Sequence, residues 1–140
     1  MTFLDSNILV YAVDIADTRK NAIALDILSN ALDNPAGWRI SSQVLSEFSN
    51  VLLRKLSCPA QRLLAFLDQF KGLVCFNMTP GCVRRAVEIQ ALYGMQFYDA
   101  QVVAAAEATG CTKIYSEDFN LEQTYCGIIV ENPFALRRRR

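Results

Sequence analysis

Four carboxylates, Asp5, Glu47, Asp99 and Asp118, each stand where an apolar stretch of the 140-residue chain gives way to the next element. Carboxylates so placed suggest a divalent-metal site. The chain has no histidine, which excludes histidine general-base catalysis, a Ser-His-Asp relay and histidine-rich zinc sites. Any chemistry then falls to oxygen ligands or to cysteine. Oxygen-rich sites favour hard cations, principally Mg2+ with Mn2+ as a substitute. A cysteine nucleophile would lack the histidine that usually activates it. Cys58, Cys75, Cys82, Cys111 and Cys126 are odd in number and show no CxxC pairing, so most of them read as small buried hydrophobes. The six glycines form neither GxGxxG nor GxxxxGKS/T, so no phosphate-cradling loop is present.

The elements must gather these acids if they are to act together. Residues 1–5, MTFLD, read as a short buried strand ending at Asp5. Ile8, Leu9, Tyr11 and Ala12 fit a short helix behind it, capped by Asp5 or Ser6. Ala22, Ile23, Leu25, Ile27 and Leu28 suggest a second helix, from Thr18 as N-cap to about Leu32, stopped by Asn34-Pro35. Residues 38–40 form a second strand. A helix from Ser41 or Ser42 to about Leu56 carries Glu47, and another, opened by Ser57 and Pro59, carries Leu63, Leu64, Phe66, Leu67 and Phe70 to complete a helical hairpin. Residues 73–76 read as a third strand. Thr79-Pro80 starts a helix that ends at Gly94, and a further helix from about Tyr98 to Thr109 carries Asp99. Residues 113–115 and 128–130 supply the last two of five strands.

Strands alternating with helices predict an α/β fold in three layers, with a short, mainly parallel five-stranded sheet flanked by helices. In such sheets ligands bind outside the carboxyl ends of the strands, at the switch in strand order. Asp5 and Asp118 follow strands, whereas Glu47 and Asp99 lie early in helices, an arrangement able to bring all four to that rim.

A hydrophobic content of 52% argues against disorder, and no linker or repeat suggests a second domain. Residues 1–134 are therefore expected to form one domain, followed by a disordered basic tail at 135–140. Basic and acidic residues number 14 each, but without the four terminal arginines the balance is 10 against 14, a body charge of −4. Such a body lacks the broad basic face of a general nucleic-acid coat. A nucleic-acid substrate would depend on bridging metal and on local cations. Arg39, Arg54, Lys55, Arg84 and Arg85 are the candidates, with plain surface charge as their other reading. No apolar run approaches the roughly 18 residues of a membrane span, and Met1 leads into Asp5 without a signal-peptide pattern. The expectation is a cytoplasmic protein with no membrane contact.

The segments that carry the acids are FLDSNILVY (3–11), SSQVLSEFSNVLLRK (41–55), FYDAQVVAAA (97–106) and IYSEDF (114–119). In this order and spacing they resemble PIN-domain proteins, and within that group the VapC-type toxin ribonucleases of bacterial toxin–antitoxin pairs. The resemblance extends over residues 1 to about 134, including the closing GIIVENPF. It implies a PIN-like fold and makes Asp5, Glu47, Asp99 and Asp118 the catalytic, metal-binding set, with Asp5 and Asp99 nearest the metal and Asn7 and Ser116 as polar supports. Glu117 adjoins Asp118, and either could face the site, the spacing from Ser116 favouring Asp118. Four clustered carboxylates repel one another and ionise together only around a cation. One or two Mg2+ ions, ~3.5 to 4 Å apart if two, would activate water for in-line attack on an RNA phosphodiester and need no histidine.

Taken singly, each acid has an ordinary structural use. Asp5 suits a helix cap, Asp99 a helix dipole, Glu47 a solvated face with Gln43 and Asn50, and Asp118 a turn. The function implied is a Mg2+-dependent endoribonuclease acting as a toxin. Its partners would be RNA, a cognate antitoxin protein and a second copy in a homodimer. The antitoxin would lie in a groove lined by helices around Ile8 to Ala12 and Val44 to Leu56, side chains that otherwise fill the core. The alternative is a catalytically weak PIN-like module for binding or assembly. A phosphotransfer fold fits less well, because Asn7 stands where a dehalogenase-like phosphatase needs a second Asp, and Asn77 and Thr79 where a receiver needs one.

Overall fold

The computed structural model describes residues 1–119 and 123–135. Its centre is β1 (Thr2–Leu4), where Phe3 and Leu4 are fully buried, as an apolar run in a sheet covered on both faces requires. Six α-helices among the described residues flank the sheet: α1 (Ser6–Val13), α2 (Thr18–Asp33), α3 (Ser42–Arg54), α4 (Ala60–Gln69), α5 (Pro80–Tyr93) and α6 (Phe97–Ala108). The other strands are β2 (Trp38–Ser41), β3 (Cys75–Phe76), β4 (Lys113–Tyr115), β5 (Thr124–Tyr125) and β6 (Ile128–Glu131). Their order is β3-β2-β1-β4-β6-β5, and every pairing is parallel except β5 with β6. The order reverses between β1 and β4, so the carboxyl ends of these two neighbours open onto the switch point expected to hold a site.

The sheet has six strands, not five. The additional strand, β5, is joined to β6 by Cys126 and Gly127, both at positive φ (52° and 76°). Positive φ at both central residues is the type I′ hairpin geometry. Cysteine is an unusual occupant of its first position; here the Tyr93 hydroxyl accepts the Cys126 N–H at 2.8 Å. The third strand is shorter than residues 73–76, being paired only at Cys75 and Phe76.

Local chemistry explains most helix ends. Asp5 is the extended N-cap of α1, and Ser41 caps α3 by accepting the Val44 N–H. Thr79 caps α5, with Pro80 in the first turn and Gly94 in the left-handed conformation at its end. The α2 cap is Asp17, which accepts the Lys20 N–H at 3.0 Å, and not Thr18, which is the first helical residue. Val44, Phe48 and Leu52 recur at helical spacing on the buried face of α3, which sets Gln43 and Glu47 at its border. The helix α6 is buried along Val102 to Ala106. All five cysteines are free: Cys82 and Cys111 are buried in the core and Cys58 and Cys126 pack partly buried against it, whereas Cys75 is exposed. The expected basic tail lies, apart from Ala135, outside the described residues.

Phe48 is fully buried and meets Phe70 edge-on at 5.1 Å, anchoring the helix that carries Glu47. Replacing Phe48 with Ala should lower unfolding free energy by about 3 to 5 kcal/mol, the usual cost of an aromatic cavity. Urea denaturation followed by circular dichroism measures this, and a loss below about 1 kcal/mol would mean that α3 is held by something else.

Candidate active site

The β1 strand delivers Asp5 to the rim and buries it. Its backbone N–H donates to the Tyr115 carbonyl, extending the β1–β4 ladder, and its Oδ1 accepts the Ser6 N–H at 2.7 Å. From the end of β4, the buried Ser116 hydroxyl donates to Asp5 Oδ2 at 2.7 Å. Asn7, in the first turn of α1, spans the two strand ends. Its Nδ2 lies 3.1 Å from both Ser116 Oγ and Asp118 Oδ2, and 3.5 Å from Asp5 Oδ2. The Asp118 N–H closes the loop onto Ser116 Oγ.

Glu47 approaches from α3 and is half-buried, with both oxygens engaged. Ser6 Oγ donates to Oε2 at 3.1 Å and Gln43 Nε2 to Oε1 at 2.8 Å. The same Gln43 nitrogen reaches the Tyr98 carbonyl at 3.2 Å, tying α3 to the first turn of α6, where half-buried Asp99 follows. Asp5, Glu47 and Asp118 are thus linked through Ser6, Asn7 and Ser116, and Asp99 lies near enough to feel the charges of Asp118 and Glu47. From sequence Ser6 is only an alternative cap and Gln43 only part of a solvated face. Gln43 and Glu47 stand at i and i+4, the spacing that could have marked them as partners.

The loop after β4 also separates the two neighbouring acids. Asp118 turns toward Asn7, whereas Glu117 turns away to accept from Tyr11 and Lys20. The candidate phosphate contacts divide similarly. Arg85 is committed to Glu107 and Glu88, and Arg39 donates to the carbonyls of Pro35, Ala36 and Trp38. Arg54, Lys55 and Arg84 are exposed.

Electrostatics follow from this crowding. Burial pushes the Asp5 carboxyl up to about 7; hydrogen bonds from Ser116 and Ser6 oppose that rise, and the charges of Glu47 and Asp118 add to it. Burial, then Asp118 and Glu47, push Asp99 up to about 6. None of the four acids forms an ion pair among the described residues. Nor do any three Asp, Glu, Cys or His side chains among those residues already stand as a group that could hold a metal ion. Asp5, Glu47 and Asp118 are turned onto the protein partners above. The donor set still fits a hard divalent cation: it is all oxygen, its negative charge is unbalanced, and the buried Asn7 Oδ1 and Gln43 Oε1 beside it lack hydrogen-bond partners.

A second concavity, of about 360 Å3, lies between the end of α1, the end of α3 and the start of α4, lined by Val13, Leu52, Leu56, Pro59, Arg62 and Phe66. Of the side chains on the helices expected to line a groove, Ile8, Leu9, Ala12, Val44 and Phe48 fill the core, as the other reading of them has it, and Leu52 and Leu56 border this concavity.

Because the folded chain raises Asp5 from the ordinary 3.8 to about 7, it binds that proton more tightly than the unfolded chain does. The resulting stabilisation is complete below the unfolded value and is lost as pH rises through about 7. Metal-free protein should therefore lose on the order of 3 kcal/mol relative to Asp5→Asn between about pH 5 and about pH 8. Excess Mn2+ should restore wild-type stability at the upper pH and leave the variant unchanged. Denaturant titration across pH reads the difference; parallel curves would show that Asp5 is ionised throughout.

Comparison with known proteins places this geometry. The PIN domain family model matches residues 2–125. No curated protein matches the chain significantly. Among solved structures, VapC20 of Mycobacterium tuberculosis, a sarcin-ricin loop cleaving toxin, is 19% identical with a TM-score of 0.68, over 84% of this chain and 90% of that one. VapBC2 from Rickettsia felis, bound to a promoter DNA fragment, is 19% identical with a TM-score of 0.69, over 94% and 97% of the two chains. DNA-bound VapBC from Salmonella typhimurium gives 18% and 0.69 over the same shares. These likenesses agree in fold with the observed sheet, and the family match covers all four acid-bearing segments: the chain belongs to the PIN-domain family.

Proposed function

We propose that this chain is a divalent-metal-dependent endoribonuclease and the toxin of a toxin–antitoxin pair. The observation that carries the reading is the grouping of Asp5, Glu47, Asp99 and Asp118, with no ion pair among the described residues, at the carboxyl rim of a PIN-family sheet. Residues 1–134 would form the single catalytic unit.

In this reading the four carboxylates hold Mg2+ or Mn2+, Asp5 and Asp99 foremost. Bound there, the cation supplies Lewis-acid activation of water and neutralises charge developing on the phosphate. The protein's own part is orientation. Ser116 and the Ser6 N–H fix the Asp5 carboxylate, Asn7 holds Asp118 beside it, and Ser6 with Gln43 fixes Glu47. Exposed Arg54, Lys55 and Arg84 are available for the RNA backbone outside the rim. The cavity between α1, α3 and α4 combines apolar walls with Arg62 and suits an amphipathic antitoxin segment. The similarity to VapBC complexes supports that partner. Exposed Val83 and Val87, four residues apart on α5, offer a face for a second copy in a homodimer. No described helix is long and apolar enough to cross a membrane.

Purified protein should cut RNA when Mg2+ or Mn2+ is supplied and stop when the metal is chelated. Asp99→Asn should lower the rate at least about a hundredfold, the upper end of what loss even of an outer-shell partner costs. End-group analysis should find 5′-phosphate and 3′-hydroxyl termini. Cyclic phosphates would contradict attack by water, and RNA left intact by wild type would return the chain to the binding-module alternative.

A further inference from the structure

A cluster beside the acids is absorbed by neither the metal reading nor the core. Glu117 accepts from the Tyr11 hydroxyl at 2.6 Å and from Lys20 Nζ at 2.8 Å. Lys20 Nζ also reaches Tyr11 Oη at 3.3 Å and lies 4.8 Å from the Tyr11 ring centroid. Phe134 meets Tyr11 edge-on at 4.9 Å, and Arg19 donates to the Phe134 carbonyl at 2.8 Å. With side-chain exposures of 25% and 21%, Lys20 and Glu117 are not an ordinary surface pair.

The placement of this cluster gives it a consequence. Asn7 and Tyr11 stand at i and i+4 on one face of α1, and each grips a different residue of the loop after β4: Asn7 takes Asp118 and Tyr11 takes Glu117. Successive side chains of this loop point to opposite sides, so fixing Glu117 outward fixes Asp118 inward. If Glu117 were released, its flexible carboxylate would be free to compete with Asp118 for the same rim. We propose that Lys20, Tyr11 and Glu117 form a latch on the loop after β4 and are positioning residues for Asp118. This rests on the metal-site reading above and adds to it which residues outside the acid set govern metal affinity.

The test is a double-mutant cycle on Mn2+ affinity, measured by calorimetry on protein shown to be folded by circular dichroism. Lys20→Met and Glu117→Gln should each weaken binding about tenfold, the lower end of what removing the support of a ligand costs. Their combination should be no worse than either alone, because both break one device. Lys20→Arg should restore nearly wild-type affinity. In an Asp118→Asn background Lys20→Met should have little further effect, a result that general loosening of the fold would not produce. Wild-type affinity in Lys20→Met, or an undiminished loss in the Asp118→Asn background, overturns the latch alone. Failure of the wild type to bind Mn2+ overturns the metal-site reading together with it.

Discussion

The structure is organised around a carboxylate buried at the end of the central strand. Removing a charge from water costs several kcal/mol unless it is paired or hydrogen-bonded, and Asp5 has two short hydrogen bonds but no cationic partner among the described residues. Those bonds favour the ionised carboxylate, yet burial and the neighbouring acids outweigh them. A core residue in this position would sit more comfortably as Asn or Ser. The strand order, with β1 between β2 and β4, places the site's other acids around this one residue.

The cost of that arrangement is met by the short helix α1, whose polar residues all face the problem. Ser6 supports both Asp5 and Glu47, Asn7 joins three residues at the strand ends, and Tyr11 draws Glu117 away. Opposite these residues, Ile8, Leu9 and Ala12 bind the helix to the core. Eight residues thus serve packing on one face and carboxylate management on the other. The helix is in turn held from α2, where Asn21 donates to the Tyr11 and Ala12 carbonyls and so satisfies groups at its open end.

What the sequence made legible was whatever has a local cause. Asp5 after an apolar triplet, Thr79-Pro80 before a helix and Gly94 behind it are signals contained within a few residues. The parallel sheet followed from apolar runs alternating with helices, and the acid rim followed from the sheet. Features decided over long separations were not legible in this way. Lys20 and Tyr11, 97 and 106 residues from Glu117, distinguish that acid from Asp118, and no local pattern announces either contact. Gln43 looked solvated because its partners include the Tyr98 carbonyl of another helix. The β5 strand leaves no sequence signal, because two paired residues are too short for alternation and its turn is Cys126-Gly127, not Asn-Gly. At the start of α2, Asp17 and Thr18 are both competent caps, and propensity alone does not order adjacent candidates.

The central claim is that the acids are held in mutual repulsion that a divalent cation relieves. Such a site must release protons when it takes up metal, and the number released must fall as pH rises past the raised values of Asp99 and Asp5, about 6 and about 7. Mn2+ titration calorimetry in buffers of different ionisation enthalpy counts those protons directly. The account predicts clear proton release near pH 6, shrinking toward none well above pH 7. Metal uptake without proton release at the lower pH would contradict it.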